Sequence, residues 1–465
     1  MNYQILIAFG IYFCILLAIG LFFYFKSKTE SNFILGNRSV NYWVTAISAQ
    51  SSDMGSWLFL AFPAAIYSKG LIELWTAIGL VVFMFLNWQF IAPRLRTQTE
   101  QYKSLTLTSY FNNKYGSAGL IGLISALITV LFFTFYIASG LVGLGRLFES
   151  AFGLDYYTGI VLGLLSAIIY ILIGGYVAVA WCNLFQGLFL LAAIVIVPVY
   201  ALFKLGSVQT IIDAAHAKNV SLSLLPEGAS IWTILFLAAG WGLGYFGQPH
   251  ILVNFMGIDD VKKIRFAKYI GITWQIIVLA AAAAIGLIAL PFFISTPLPN
   301  PELLFVLMTK SLFFPLLAGF ILCGILAATL SSMNTQILIA GTVIAEDIYK
   351  KIFNRQASSH MVVWVSRVVV VAVSISALFI ARNNSNTVYD LVNYAWSGLG
   401  SAFGPLVLLS LYSDKVTKQG ALCGILTGAL VSALWPYLNT GILPMVPGFT
   451  SSFIAIVTVS FLSKK

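Results

Sequence analysis

Apolar runs recur along the whole chain, each long enough to cross a hydrocarbon core of about 30 Å, with short polar segments between them. They predict thirteen membrane-spanning helices, at 4–24, 41–66, 71–93, 118–145, 156–178, 182–204, 229–256, 266–293, 312–346, 360–381, 388–412, 419–437 and 444–462. The expected fold class is therefore an all-α polytopic membrane protein with one transport domain over 1–465. The first run could be mistaken for a signal peptide. Its positive charges, Lys26 and Lys28, follow the apolar stretch instead of preceding it, and no small-residue cleavage site is evident, so it is read as a helix.

Most spans are monotonous mixtures of Leu, Ile, Val, Phe, Ala and Gly, and three are not. Span 41–66 holds a polar stretch in mid-helix, Ala46-Ile-Ser-Ala-Gln-Ser-Ser-Asp-Met-Gly-Ser-Trp57. Span 229–256 holds Gly240-Trp-Gly-Leu-Gly-Tyr-Phe-Gly-Gln-Pro-His250, with four glycines and a proline. Span 312–346 holds Ala327-Ala-Thr-Leu-Ser-Ser-Met-Asn-Thr-Gln336 and is read as a third broken span. Irregular backbone at membrane depth is tolerated only where it is buried in protein or lines a wet cavity. The first two breaks lie five spans apart, and interrupted helices in matching positions of two halves point to a transporter's binding site. With 4–24 peripheral, 41–205 would form one repeat, 229–412 its inverted partner and 419–462 two further helices.

Asp53 falls about twelve residues into its span, roughly 18 Å deep at 1.5 Å per residue. A carboxylate there costs at least about 2.5 kcal/mol to insert and normally has a functional partner; capping of the broken half-helix is the plainer alternative. Ala328, Ser331 and Ser332 follow at i, i+3 and i+4 on one helical face, offering a carbonyl and two hydroxyls. With carbonyls freed near Ser51 and Met54, five neutral oxygens could surround a small hard cation. Serines packing between helices would look the same. Trp241 and Tyr245 share a face, with Gln248 and Pro249 one turn on; beside freed backbone groups this suits a small, partly apolar solute, and aromatic packing is the competing account.

Composition supports the membrane reading: 60% of residues are hydrophobic and 9% charged, at a mean hydropathy of +0.95. The net charge of +10 would suit nucleic acid, but its distribution argues otherwise. With the N-terminus outside and the C-terminus inside, 19 of the 25 Lys and Arg fall on the inner side and 6 on the outer, as the positive-inside rule requires. Cys14, Cys182, Cys323 and Cys423 lie in or beside apolar spans without a C-x-x-C pair, and His216, His250 and His360 lack ligand spacing.

Ser52-Asp-Met, the 240–250 segment, Ile325-Leu-Ala-Ala328, Leu131-Phe-Phe-Thr-Phe-Tyr136, Arg146-Leu-Phe-Glu-Ser150 and Tyr394-Ala-Trp-Ser-Gly398 resemble segments of the sodium/solute symporters, most closely the sodium/proline branch. Lys415-x4-Gly420-Ala421-x2-Gly424-x3-Gly428 fits a wider signature of that family, and the likeness runs from about residue 30 to the end. The resemblance implies a LeuT-like inverted repeat of five plus five helices with one extra helix before it and two after. It implies sodium as coupling ion, no organic cofactor, alternating access, and residence in a bacterial-type inner membrane without an obligate protein partner. It places sodium at the carbonyls of Ser51, Met54 and Ala328 and the hydroxyls of Ser331 and Ser332, with Asp53 serving coupling. It places cargo against Gly55, Ser56, Trp57, Trp241, Tyr245, Gln248 and Pro249, Tyr136 at the outer gate and Arg38 at the inner end of the first broken helix. On this view Tyr245 touches only the cargo. Three departures stand out: Gly55-Ser56 where the proline branch reads Ser-Gly, Ser332 where Thr is common, and Asn183 where many members have Asp. The last favours a single sodium.

A membrane enzyme would need an activated nucleophile or an acid/base pair, and no intramembrane His/Asp or Cys/His cluster is present in the sequence. A sensor built on such a domain would carry a kinase-like extension, and a channel would give Asp53 no cargo to couple.

Overall fold

The computed structural model describes residues 3–24, 29–116, 119–294, 298 and 300–463; side chains at 23, 24 and 170–173 fall outside that description, as do Lys26, Lys28, Lys464 and Lys465. Within it the chain is helical throughout, apart from one parallel bridge between Val40 and Ile258. The first half comprises α1 (Tyr3–Tyr24), α2 (Glu30–Leu35), α3 (Tyr42–Met54), α4 (Ala61–Lys69), α5 (Leu74–Leu86), α6 (Ala92–Gln101), α7 (Leu107–Tyr115), α8 (Leu120–Phe152) and α9 (Tyr156–Leu205). The second comprises α10 (Gln209–Ala217), α11 (Ile231–Gly242), α12 (Pro249–Gly257), α13 (Ile264–Phe292), α14 (Leu304–Leu312), α15 (Pro315–Val343), α16 (Ser359–Ala381), α17 (Val388–Tyr412), α18 (Lys418–Leu434) and α19 (Met445–Leu462).

Ten helices among the described residues are long and apolar enough to cross a membrane, and 156–169 and 231–247 form two shorter apolar ones. Most expected spans sit within a few residues of their helices. The spans at 156–178 and 182–204 run together as α9, kinked at Gly175 with φ +63°. Span 71–93 extends as Leu71–Gln101, through a π-helical turn at Asn87–Ile91, and span 118–145 is displaced to Leu120–Phe152.

The two glycine-bearing breaks are real. α3 stops at Gly55, whose φ of +46° and ψ of −167° belong to a region open essentially to glycine alone, and the chain re-forms as α4. α11 gives way to a 3₁₀ turn at Leu243–Gly247 and an extended Gln248, after which Pro249 occupies the first position of α12. Glycine is needed at 247 for close approach: a Cβ there would stand 2.4 Å from the Gly404 nitrogen of α17.

The third expected break is absent. α15 is continuous and runs on through a π-helical segment to Phe353, with α14 a separate element before it. Three of its hydroxyls bond back to their own helix: Thr329 to the Ile325 carbonyl (2.7 Å), Ser331 to Ala328 (2.9 Å) and Thr335 to Ser331 (2.9 Å). Hydroxyls that fold back one turn need no rupture of the backbone ladder. Every side chain from Ile321 to Val343 is buried, so α15 is the central post. It packs against α3, α8 and α9.

Candidate functional site

The end of α3 meets the middle of α15. Ser331 Oγ lies 2.7 Å from the Ser51 carbonyl and 2.9 Å from the Ala328 carbonyl, so three of the five expected ligand oxygens form one cluster. Ser332 Oγ is buried without a hydrogen-bond partner, and a Cβ placed on Gly55 would stand 3.3 Å from it. Met54 is buried as the last residue of α3, where carbonyls lose their intrahelical donors. The donor set is oxygen only and carries no formal charge, which suits a monovalent hard cation. Asn183 packs just behind: its Nδ2 donates to Ser48 Oγ (3.1 Å) and Thr335 Oγ1 (3.0 Å), while its carbonyl accepts from Ser51 Oγ (3.0 Å).

Beside this cluster lies a small cavity lined by Asp53, Met54, Trp57, Leu80, Tyr136, Trp241, Val392 and Trp396. Its walls are mainly aromatic. Trp57 stacks on Phe62 at 5.0 Å and 17°, and its ring centre is 5.4 Å from that of Trp241. A neighbouring cavity shares Trp57 and Tyr136 with it and is lined further by Gly55, Ser56, Ser332 and Gln336. Ser56 is packed against α8, where a Cβ on Gly143 would come within 2.7 Å of its own.

Tyr245 corrects an expectation. Its hydroxyl donates to Asp53 Oδ2 at 2.5 Å and accepts from Gln275 Nε2 at 2.9 Å, so it holds the carboxylate and does not touch cargo alone. Gln248 and Pro249 are buried but do not line the aromatic cavity. Gln248 Nε2 donates to the Trp396 carbonyl at 2.9 Å, and Trp396 Nε1 to the Trp241 carbonyl at 2.8 Å, so these residues brace the second break against α17. Tyr136 lines both cavities and meets the buried His250 ring edge-on at 5.5 Å. Trp396 and Gln275 had not been singled out. A lone glutamine inside apolar span 266–293 was the available signal for one; the Tyr394–Gly398 segment already held the other.

Arg38 ties down the end of the molecule where the basic residues gather. Its guanidinium donates to the carbonyls of Met256 (2.7 Å) and Ser104 (2.8 Å) and to Thr99 Oγ1 (3.2 Å). Burial lowers the Arg38 pKa to about 10, with nearby Arg96 adding to the fall. The Val40–Ile258 bridge and a 2.8 Å bond from Arg96 Nε to the Ile258 carbonyl complete this seal. At the opposite end, an open vestibule is lined by Lys69 of α4, Glu302 and Tyr389. Tyr389 packs edge-on against Trp241 at 5.6 Å, between vestibule and aromatic cavity. Arg146 pairs there with Glu302 and donates to the Asn386 carbonyl at 2.8 Å.

Residues 33–428 match the model of the "Sodium:solute symporter family". The chain belongs to that family. Among its curated relatives in the sodium:solute symporter family, the osmoregulated proline transporter OpuE of Bacillus subtilis is 39% identical, over 100% of this chain and 96% of its own length. The sodium/proline symporter of Escherichia coli is 38% identical over 99% of this chain and 93% of its own, and that of Staphylococcus aureus 40% over 100% and 94%. Solved structures share the fold. A sodium-coupled sialic acid symporter, substrate-bound and outward-open, superposes with a TM-score of 0.84 at 20% identity, over 99% of this chain and 98% of that one. MhsT in complex with L-phenylalanine gives 0.57 at 14% identity, over 92% and 99%.

Proposed function

We propose that this protein drives uptake of L-proline with the sodium gradient, one ion per solute, by alternating access. The observation that carries it is the junction of α3 with α15, where the Ser331 hydroxyl meets the freed backbone of the first break beside a carboxylate and an aromatic cavity. In this reading sodium sits among the carbonyls of Ser51, Met54 and Ala328 and the hydroxyls of Ser331 and Ser332. A pyrrolidine ring lies against Trp57, Trp241 and Trp396, and a zwitterion's charges find the open backbone groups of the half-helix ends. Asp53 and Tyr245 connect the two ligands, because their bond joins the break of one repeat to the break of the other. The proline transporters to which the chain is similar along its whole length support this cargo.

The chain would cross a bacterial-type inner membrane thirteen times, with α3–α9 and α11–α17 as inverted repeats and the basic end in the cytoplasm. Arg38 then seals the inner side, and Tyr136 closes the outer path together with Trp241 and Tyr389. A second reading keeps the mechanism and changes the cargo: Ser56, packed on Gly143, lines the neighbouring cavity and not the aromatic one. Purified protein in vesicles decides between them. Sodium-driven accumulation of labelled L-proline is expected; sodium-driven uptake of another solute, uncontested by excess L-proline, would remove proline and leave the symporter.

A further inference from the structure

Gln275 stands outside both broken helices, within α13, and is fully buried. Its Nε2 donates to the Tyr245 hydroxyl at 2.9 Å, and that hydroxyl donates to Asp53 Oδ2 at 2.5 Å. Its Oε1 accepts from Gln50 Nε2 at 3.5 Å. Gln50 and Asp53 are three residues apart on α3, so the four side chains close a ring through α3, the 243–247 turn and α13. Gln50, Tyr245 and Gln275 are fully buried, and Asp53 alone of the four reaches the cavity.

We propose that Gln275 is a positioning residue of the transport site, committing the single hydroxyl proton of Tyr245 to Asp53. The argument is a count of donors. A phenol has one proton to give, and a carboxylate can only accept. If the Gln275 amide were turned over, its Oε1 would face Tyr245 and draw that proton away. Asp53 would then be buried without this donor, an expensive outcome. The carboxylate thus dictates how the amide lies, and Gln50 keeps the Oε1 occupied on the other side. Because α13 is unbroken, the ring ties both breaks to one continuous helix. This inference rests on the reading of Asp53 as the coupling carboxylate.

A double-mutant cycle tests it with Gln275→Met, Tyr245→Phe and the pair. The readout is the sodium concentration giving half of the sodium-dependent rise in melting temperature of purified protein, against choline and without cargo. Each single substitution should raise it about three- to tenfold, the worth of one hydrogen bond. The pair should be no worse than Tyr245→Phe alone, since no hydroxyl remains to be positioned. A merely structural role for Gln275 would give effects that multiply, and that result, or unchanged sodium dependence in Gln275→Met, overturns the proposal. If Gln275→Met does not fold, the equally uncharged Gln275→Leu is read identically: a rise confined to the Tyr245 background supports the proposal, and one equal in both backgrounds rejects it. Wild-type uptake of labelled proline is measured in parallel. Its absence removes the cargo reading while the cycle still decides Gln275; no sodium-dependent rise in the wild type would remove both.

Discussion

The two serines of α15 make different contacts, and that difference separates binding from scaffolding. Ser331 Oγ lies within hydrogen-bond reach of carbonyls of two helices, whereas the buried Ser332 Oγ has no protein partner. Ser331→Ala and Ser332→Ala should each raise the sodium needed for half-maximal transport, by roughly five- to hundred-fold for a lost ligand of about 1–3 kcal/mol. Only Ser331→Ala should also lower the melting temperature, because only Ser331 ties α15 to α3. A fall for both, or for neither, would argue against this division. Asp53→Asn is expected to be more damaging to sodium activation than either, since it removes charge while leaving Tyr245 an acceptor. The oxygen cluster was legible in the sequence because Ala328, Ser331 and Ser332, at i, i+3 and i+4, must share a face. The Tyr245–Asp53 bond was not: it joins residues 192 apart, and nothing local to either marks the other as its partner.

Among elements, the sequence pointed to the break in 41–66 by its polar stretch and to that in 229–256 by four glycines and a proline. It also expected one at 312–346, where serine and threonine merely resembled that signal. Those hydroxyls bond back to their own helix, so polarity in mid-span does not by itself imply irregular backbone. The kink at Gly175 was not legible because Gly174-Gly175 lies within the apolar run read as span 156–178, near its expected end. Gly55 provides the sharpest test of an element boundary. Gly55→Ala must force a side chain into φ +46°, ψ −167° and against Ser332 Oγ. It should cost about 1–3 kcal/mol and abolish sodium-dependent transport. Gly116→Ala is the control: its φ of +58° is also left-handed, but nothing lies within 4 Å of the added carbon and it is far from the breaks. Thermal melts and uptake of the two variants side by side give the comparison; equal loss of transport would mean that the conformation at 55 is not special.

For the whole molecule, the expected orientation is N-terminus outside and C-terminus inside. In a background without native cysteines, single cysteines at Lys263 and Ser463 should resist a membrane-impermeant thiol reagent in right-side-out vesicles, while one at Lys218 should react. The opposite pattern would invert the topology and with it the assignment of vestibule and seal. The seal itself has an uneven vulnerability to mutation. Arg38 grips main-chain oxygens of Ser104 and Met256, which every substitution at those two positions would still supply. The burden of heredity therefore falls on one codon. Saturation mutagenesis under selection for uptake should accept at 104 and 256 any residue that their buried sites can pack, but almost nothing except arginine at 38. Lysine should fail there, because an ammonium lacks the fork that spans both oxygens.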